Sequence, residues 1–146
     1  MRKRFISGAI AAALLLGAAP ALAHHSVSGQ FDVDKIVMKR AALAKIEWIS
    51  PHSYLTFDVT EADGTSHKLA VETLAPAALR RAGLASRDVL KIGESYTLYY
   101  NPARSGINTI GLLSVLTLAD GKMIGSLSPK ALEQVRALQK AQPATN

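Results

Sequence analysis

Alternating hydrophobic and polar positions predict three consecutive β-strands in the first half of the chain. The second strand, over 54–60, alternates cleanly, and the Asp63-Gly64 turn returns the chain through a third strand over 67–72. The first strand runs from Ile36 to Trp48, with strict alternation from residue 42 onward. This alternation places four of its side chains on one face, which we expect to point to the core: Ala42, Ala44, Ile46 and Trp48.

A short helix and two further strands follow this meander. Pro76 suits the first turn of a helix that ends at Gly83. Strands are predicted over 95–100 and 107–118, with Gly111 marking a bulge or bend in the second of them. Five strands with one helix between the third and fourth follow the order of an oligonucleotide/oligosaccharide-binding (OB) barrel. The predicted fold is therefore mainly β, a small five-stranded OB-like antiparallel barrel.

The pattern changes near the C-terminus. Pro129 fits the first turn of a predicted helix over 127–141, whose narrow apolar stripe is formed by Leu132, Val135 and Leu138. This helix could pack on the barrel, contact a partner or fray, and packing is the default expectation. Residues 142–146 are expected to be disordered.

The first residues have the character of a secretory signal peptide. The basic cluster Arg2-Lys3-Arg4 precedes an apolar run over 10–16, and Ala21-Leu22-Ala23 has the form of a cleavage site. We expect residues 1–23 to be removed, so that a periplasmic or secreted protein begins at His24 and residues 24–126 form the barrel domain with an N-terminal arm. The alternative is an uncleaved membrane anchor, although the apolar run is shorter than the roughly 20 residues that a membrane-spanning helix needs.

Charge and cysteine content narrow the function classes. The full chain carries a formal net charge of +6, and removal of the signal peptide leaves 14 Lys+Arg against 11 Asp+Glu, or +3. The basic residues are scattered among acids, so nucleic acid is not an expected partner. The chain has no cysteine, which excludes disulfides, thiolate metal sites and cysteine nucleophiles. Any metal must be held by nitrogen and oxygen ligands.

Several short motifs resemble those of a family of small, uncharacterised exported bacterial proteins with a domain of unknown function. They occur in the order Ala23-His24-His25-Ser26, Phe31-Asp32, Glu47-Trp48-x-x-Pro51-His52, Ala75-Pro76-Ala77-Ala78-Leu79-Arg80-Arg81-x-Gly83, Gly93-Glu94 and Leu118-Ala119-Asp120-Gly121-Lys122. The resemblance implies a periplasmic or secreted barrel-like domain and brings no established reaction.

Three histidines form the candidate metal site. Cleavage after Ala23 would place an α-amino group and an imidazole on His24, and His25 or His52 would add a further nitrogen ligand. Copper(II) favours such tetragonal nitrogen and oxygen coordination. The arrangement resembles the histidine brace of exported copper proteins. The alternatives are that the His-His start has no ligand role and that His52 is a turn residue bonded to nearby backbone.

We recognise no set of catalytic residues in the sequence, and an enzyme is the less favoured interpretation. The serines near the histidines lack a Gly-x-Ser-x-Gly elbow. The first functional hypothesis is a non-enzymatic periplasmic module that binds metal, with copper favoured, for sequestration or delivery to a protein partner. The alternative is a metal-independent binding or assembly module that uses the barrel face or the C-terminal helix. On the barrel face, a stacking platform could be formed by Tyr96, Tyr99, Tyr100 and Arg104.

Overall fold

The computed structural model describes residues 26–84, 89–125 and 129–141. The predicted signal peptide, His24, His25 and the predicted disordered tail 142–146 lie outside these residues. The elements are α1 (Val27–Gln30), β1 (Val37–Glu47), β2 (Tyr54–Thr60), β3 (Ser66–Glu72), α2 (Pro76–Arg81), β4 (Ser95–Pro102), β5 (Ile110–Thr117), β6 (Met123–Gly125) and α3 (Pro129–Ala141). Among the described residues, no helix is long and apolar enough to cross a membrane.

The strands close into the predicted five-stranded barrel. Its order is β3-β2-β1-β4-β5, and a pairing between β3 and β5 closes the ring. The predicted OB-like strand order and the helix between β3 and β4 are therefore confirmed. The closing pair is parallel, with Ala70 opposite Ile110 and Glu72 opposite Leu112, so the barrel is mixed where an antiparallel one was expected. The short strand β6 adds to the outside of the ring by pairing with β5.

A β-bulge decides which side of β1 faces the barrel interior. Ala41 and Leu43 are buried, whereas Ala42 and Ala44 lie on the outer side. The register against β2 shifts between Leu43 and Lys45, because one extra residue occupies β1 at this point. The shift returns Ile46 to the inner side, where it packs against the core. The predicted inner face was therefore right for Ile46 and wrong for Ala42, Ala44 and Trp48, the last of which lies beyond the strand.

The hairpin of β2 and β3 follows the sequence pattern closely. Leu55, Phe57 and Val59 are buried as predicted, and Gly64 takes the positive φ of 86° that the turn requires. Every residue from Tyr54 to Thr60 pairs with a partner on β3. This regular register determines which outward side chains of the two strands lie side by side.

The C-terminal helix packs on the outside of the barrel. Val135 on α3 is fully buried in a second apolar cluster that includes Tyr99 of β4 and Val115 of β5. Ile36, Met38, Met123 and Leu138 pack around these three. Of the outcomes left open by the sequence, the structure shows packing. Two of the three residues of the predicted apolar stripe, Val135 and Leu138, are consequently packed against the barrel.

The N-terminal arm is held against the β4–β5 end of the barrel. Phe31 is buried and forms an isolated bridge with Ala103. The side-chain amide of Asn101 donates hydrogen bonds to the carbonyl oxygens of Asp32 and Lys35, at 3.2 and 2.8 Å. These contacts fix the path of the chain that leads from α1 into β1.

Candidate functional site

His52 lies in the β1–β2 connection and directs one ring nitrogen to the backbone immediately after β3. It follows the cis Ser50–Pro51 peptide bond, and its side chain is 49% exposed. Nδ1 is 3.3 Å from the carbonyl oxygen of Thr73. Because a carbonyl oxygen only accepts hydrogen bonds, this contact requires the hydrogen on Nδ1. In the neutral imidazole the lone pair is then on Nε2, which this contact leaves available to a ligand.

Glu72, the last residue of β3, contacts both His52 and Tyr54 of the neighbouring strand β2. Its Oε1 lies 3.4 Å from Nδ1 of His52, and its Oε2 accepts a 3.3 Å hydrogen bond from the hydroxyl of Tyr54. Burial, together with the charge and the hydrogen bond of Glu72, raises the pKa of Tyr54 above its ordinary value. The Glu72 side chain is only 15% exposed. The three residues form a connected polar group on the outer side of the β2–β3 hairpin.

The polar group borders an apolar cleft of about 320 Å³. The cleft lies between the N-terminal arm, the ends of β3 and β5, and the first turns of α3. Its apolar wall includes Val27, Val33, Ile36, Leu74 and Leu112, and His52 and Glu72 also line it. A volume near the low end of the range for small-molecule sites makes it a candidate binding site.

The structure describes one of the three predicted metal ligands, His52. His24 and His25 lie outside the described residues, and within the described ranges there is no group of three histidine, cysteine, aspartate or glutamate residues able to hold a metal ion. Val27, two residues after His25, lines the same cleft as His52. The remaining histidine, His67, has a side chain that is 17% exposed, and its Nε2 lies 3.9 Å from Oε1 of Glu61 on another part of the barrel.

The predicted stacking platform is not present. Tyr96, Tyr99 and Tyr100 are all buried, the first and third inside the barrel and Tyr99 beneath α3. The Nε of Arg104 donates a 2.7 Å hydrogen bond to the carbonyl oxygen of Ser28, so that this side chain anchors the arm. The sequence left an aromatic surface open as a possibility because alternation cannot show that both faces of β4 are covered.

Glu72 and Tyr54 are the residues that motif reasoning missed. They carry no motif of their own, but they are directly paired across β2 and β3. The Asp63-Gly64 turn, combined with the alternation of the two strands, contains enough information to predict this pairing. The contact of His52 with Thr73 depends on the path of the β1–β2 connection, and no turn or alternation pattern in the sequence predicts that path.

Comparison with known proteins identifies a family and nothing more specific. No curated protein and no solved structure matches the chain. A family model described as "Family of unknown function (DUF6152)" matches residues 12–113, which include β1 to β4, the His52 connection and Glu72. The resemblance to an uncharacterised family that was drawn from the motifs is thereby confirmed, and the chain belongs to this family of unknown function.

Proposed function

We propose that the protein is a periplasmic, non-enzymatic metal-binding module, with copper as the metal and His24, His25 and His52 as its ligands. The observation that carries this proposal is that Val27 and His52 line one cleft. Two residues of chain span at most about 7 Å, so connectivity keeps the backbone of His25 within that distance of Val27. The proposal therefore requires the two N-terminal histidines to reach the cleft that His52 lines.

The contacts of His52 support a ligand role. Histidines that bind metals usually donate their other ring hydrogen to a carbonyl or carboxylate group, which fixes the ring and its tautomer. His52 has both kinds of acceptor next to Nδ1, the carbonyl oxygen of Thr73 and the carboxylate of Glu72. Nε2 is then the coordinating atom, and Glu72 is an orienting residue.

The chemistry of the proposed ligands favours copper. An N-terminal His24 offers an amine and an imidazole on one residue, and His25 and His52 add imidazoles. Nitrogen ligands bind copper(II) more tightly than the other common divalent first-row metals, and copper(II) accepts a tetragonal arrangement. The proposed role is sequestration of the ion or its delivery to a periplasmic partner.

The test is copper binding by the exported protein. The protein is purified from the periplasm, its N-terminus is established by intact mass, and Cu(II) is titrated by calorimetry and electron paramagnetic resonance. We expect one equivalent of Cu(II) with nitrogen hyperfine coupling. We expect His52→Ala to weaken binding at least tenfold, and the matched His67→Ala control to leave it unchanged. Absence of stoichiometric uptake, or equal binding by the His52→Ala protein, would refute the proposal.

A second candidate function is a metal-independent binding module, favoured by an exposed apolar tip. Trp48 is 39% exposed and Ile49 is 51% exposed, both at the start of the β1–β2 connection. OB barrels often bind ligands through this connection. The expected result is that Trp48→Ala and Ile49→Ser reduce crosslinking to a periplasmic partner in the presence of chelator, while His52→Ala does not. The opposite pattern would exclude this function.

A further inference from the structure

We propose that the cleft beside His52 binds a small primary amine in its ammonium form, with the hydrocarbon part in the cleft and the ammonium group on the carboxylate of Glu72. This site goes beyond the proposed metal function, because it requires neither a metal ion nor His24 and His25.

The walls of the cleft provide a place for a short hydrocarbon chain. Side chains from four separate parts of the fold line it: Val33 from the arm, Leu74 after β3, Leu112 from β5 and Ala131 from α3. Its volume of about 320 Å³ suits a small ligand rather than a large cofactor. Burial of a methylene group contributes about 0.8 kcal/mol, so an alkyl chain gains affinity from such walls.

The polar side chains deep in the wall have already donated their hydrogens. The amide hydrogens of Asn101 go to the carbonyl oxygens of Asp32 and Lys35, and the hydroxyl of Ser114 donates to Oδ1 of Asn101 at 2.7 Å. Both side chains keep only lone pairs for a further partner. These groups can accept hydrogen bonds from a ligand but have none to donate.

At the rim, some of the hydrogens of the polar side chains are also donated to protein acceptors. On α3, Lys130 pairs with the carboxylate of Asp34 at 2.5 Å, and the amide nitrogen of Gln134 donates to the carbonyl oxygen of Asp34 at 3.1 Å. The positive charge of Lys130 is therefore compensated locally. In the β1–β2 connection, the Nδ1 hydrogen of His52 is directed to the carbonyl oxygen of Thr73.

Within the described part of the chain, Glu72 is the carboxylate that lines the cleft. Among the described residues, the only ionisable nitrogen paired with it is Nδ1 of His52, and no lysine or arginine forms an ion pair with it. A carboxylate has about four lone-pair directions, and the hydrogen bond from Tyr54 and the 3.4 Å contact with His52 do not fill them. An ammonium ion supplies three donors and the opposite charge, whereas a carboxylate ligand would be repelled.

The probe is n-hexylammonium, followed by two-dimensional NMR of the metal-free protein at pH 7. Hexanoate and 1-hexanol are the matched probes, because they share the alkyl chain and carry the opposite charge or none. We expect saturable shifts with hexylammonium at the amides of Val33, Leu74 and Leu112. We expect hexanoate and 1-hexanol to bind at least tenfold more weakly.

Two variants test the assignment of the headgroup and the chain. Glu72→Gln keeps the shape of the side chain. It should weaken the affinity for hexylammonium at least tenfold and leave the affinity for 1-hexanol unchanged. The matched control is Glu47→Gln, on β1 and outside the cleft. Leu112→Phe should reduce the binding of both hexylammonium and 1-hexanol, because the larger side chain fills the cleft. This second variant tests the proposal even if the Glu72→Gln protein folds poorly. Equal binding of the three probes, an unaffected Glu72→Gln protein or an absence of saturable shifts would overturn the proposal. Because all measurements are made without metal, their failure would leave the copper proposal to its own test.

Discussion

The hydroxyl of Ser114 donates a 2.7 Å hydrogen bond to the side-chain oxygen of Asn101, and both side chains are buried. Asn101 in turn donates both of its amide hydrogens to backbone carbonyls of the arm. One asparagine thus connects β4, β5 and the segment that lines the cleft. A buried amide with its hydrogen bonds formed positions the arm more firmly than apolar contact would.

This connection predicts a graded loss of stability. Asn101→Ala removes three hydrogen bonds and should lower the free energy of unfolding by about 2–3 kcal/mol. Ser114→Ala removes one of them and should cost about 1 kcal/mol. Urea denaturation measures both values. If the two substitutions had equal effects, the arm carbonyls would not depend on Asn101.

Gly111 is predicted to tolerate no side chain. A Cβ at this position would lie 2.5 Å from Cδ2 of Tyr100, so Gly111→Ala should destabilise the protein by about 1–3 kcal/mol through overpacking. The matched control is Gly29→Ala, whose Cβ would meet its nearest neighbour at an ordinary 3.4 Å. Thermal denaturation distinguishes the two, and an unaffected Gly111→Ala protein would contradict the close approach of Tyr100.

The docking of α3 is predicted to depend on Val135. This side chain is fully buried against Tyr99 and Val115, and its truncation to alanine should cost about 1–3 kcal/mol. Arg136→Ala, the exposed neighbouring position, is the control and should have little effect. Hydrogen exchange over 129–141 should accelerate only in the Val135 variant. Equal acceleration in both would mean that helix propensity, and not docking, protects these amides.

The contact between Asp34 and Lys130 predicts an acid-sensitive attachment of α3 to the arm. The hydrogen bond from Lys130, followed by its charge, lowers the pKa of Asp34 below its ordinary value of 3.8. A carboxyl group whose pKa is lowered on folding contributes stability above its unfolded pKa and loses this contribution as the pH falls through the folded pKa.

The stabilisation should therefore be complete above about pH 5 and disappear at a pH below the ordinary carboxyl value. The measurement is the melting temperature against pH for the natural protein and for Lys130→Met. The difference between them should stay constant from pH 7 to 5 and shrink towards zero below pH 4. Arg136→Met should show no such convergence, and a pH-independent Lys130 effect would exclude the ion pair as its cause.

Part of the site could be predicted from the sequence. His52 was selected because it follows a proline at the end of a strand, and the structure places it against a carbonyl and a carboxylate. The cleft could not be predicted, because its walls come from the arm, β5 and α3, which are distant in the chain. The exposure of Trp48 was also unpredictable, since it depends on where β1 ends.

The sequence by itself determined the succession of strands β1 to β5 along the chain, the β2–β3 hairpin and the positions of α2 and α3. These features depend on local alternation, turn glycines and prolines, which act over a few residues. Only the tertiary structure decided which face of β1 is buried, that the ring closes through a parallel pair, and that Glu72 lies beside His52. A single extra residue at the β1 bulge reverses the inner and outer positions, and the gain that selects one arrangement comes from packing among residues far apart in the chain.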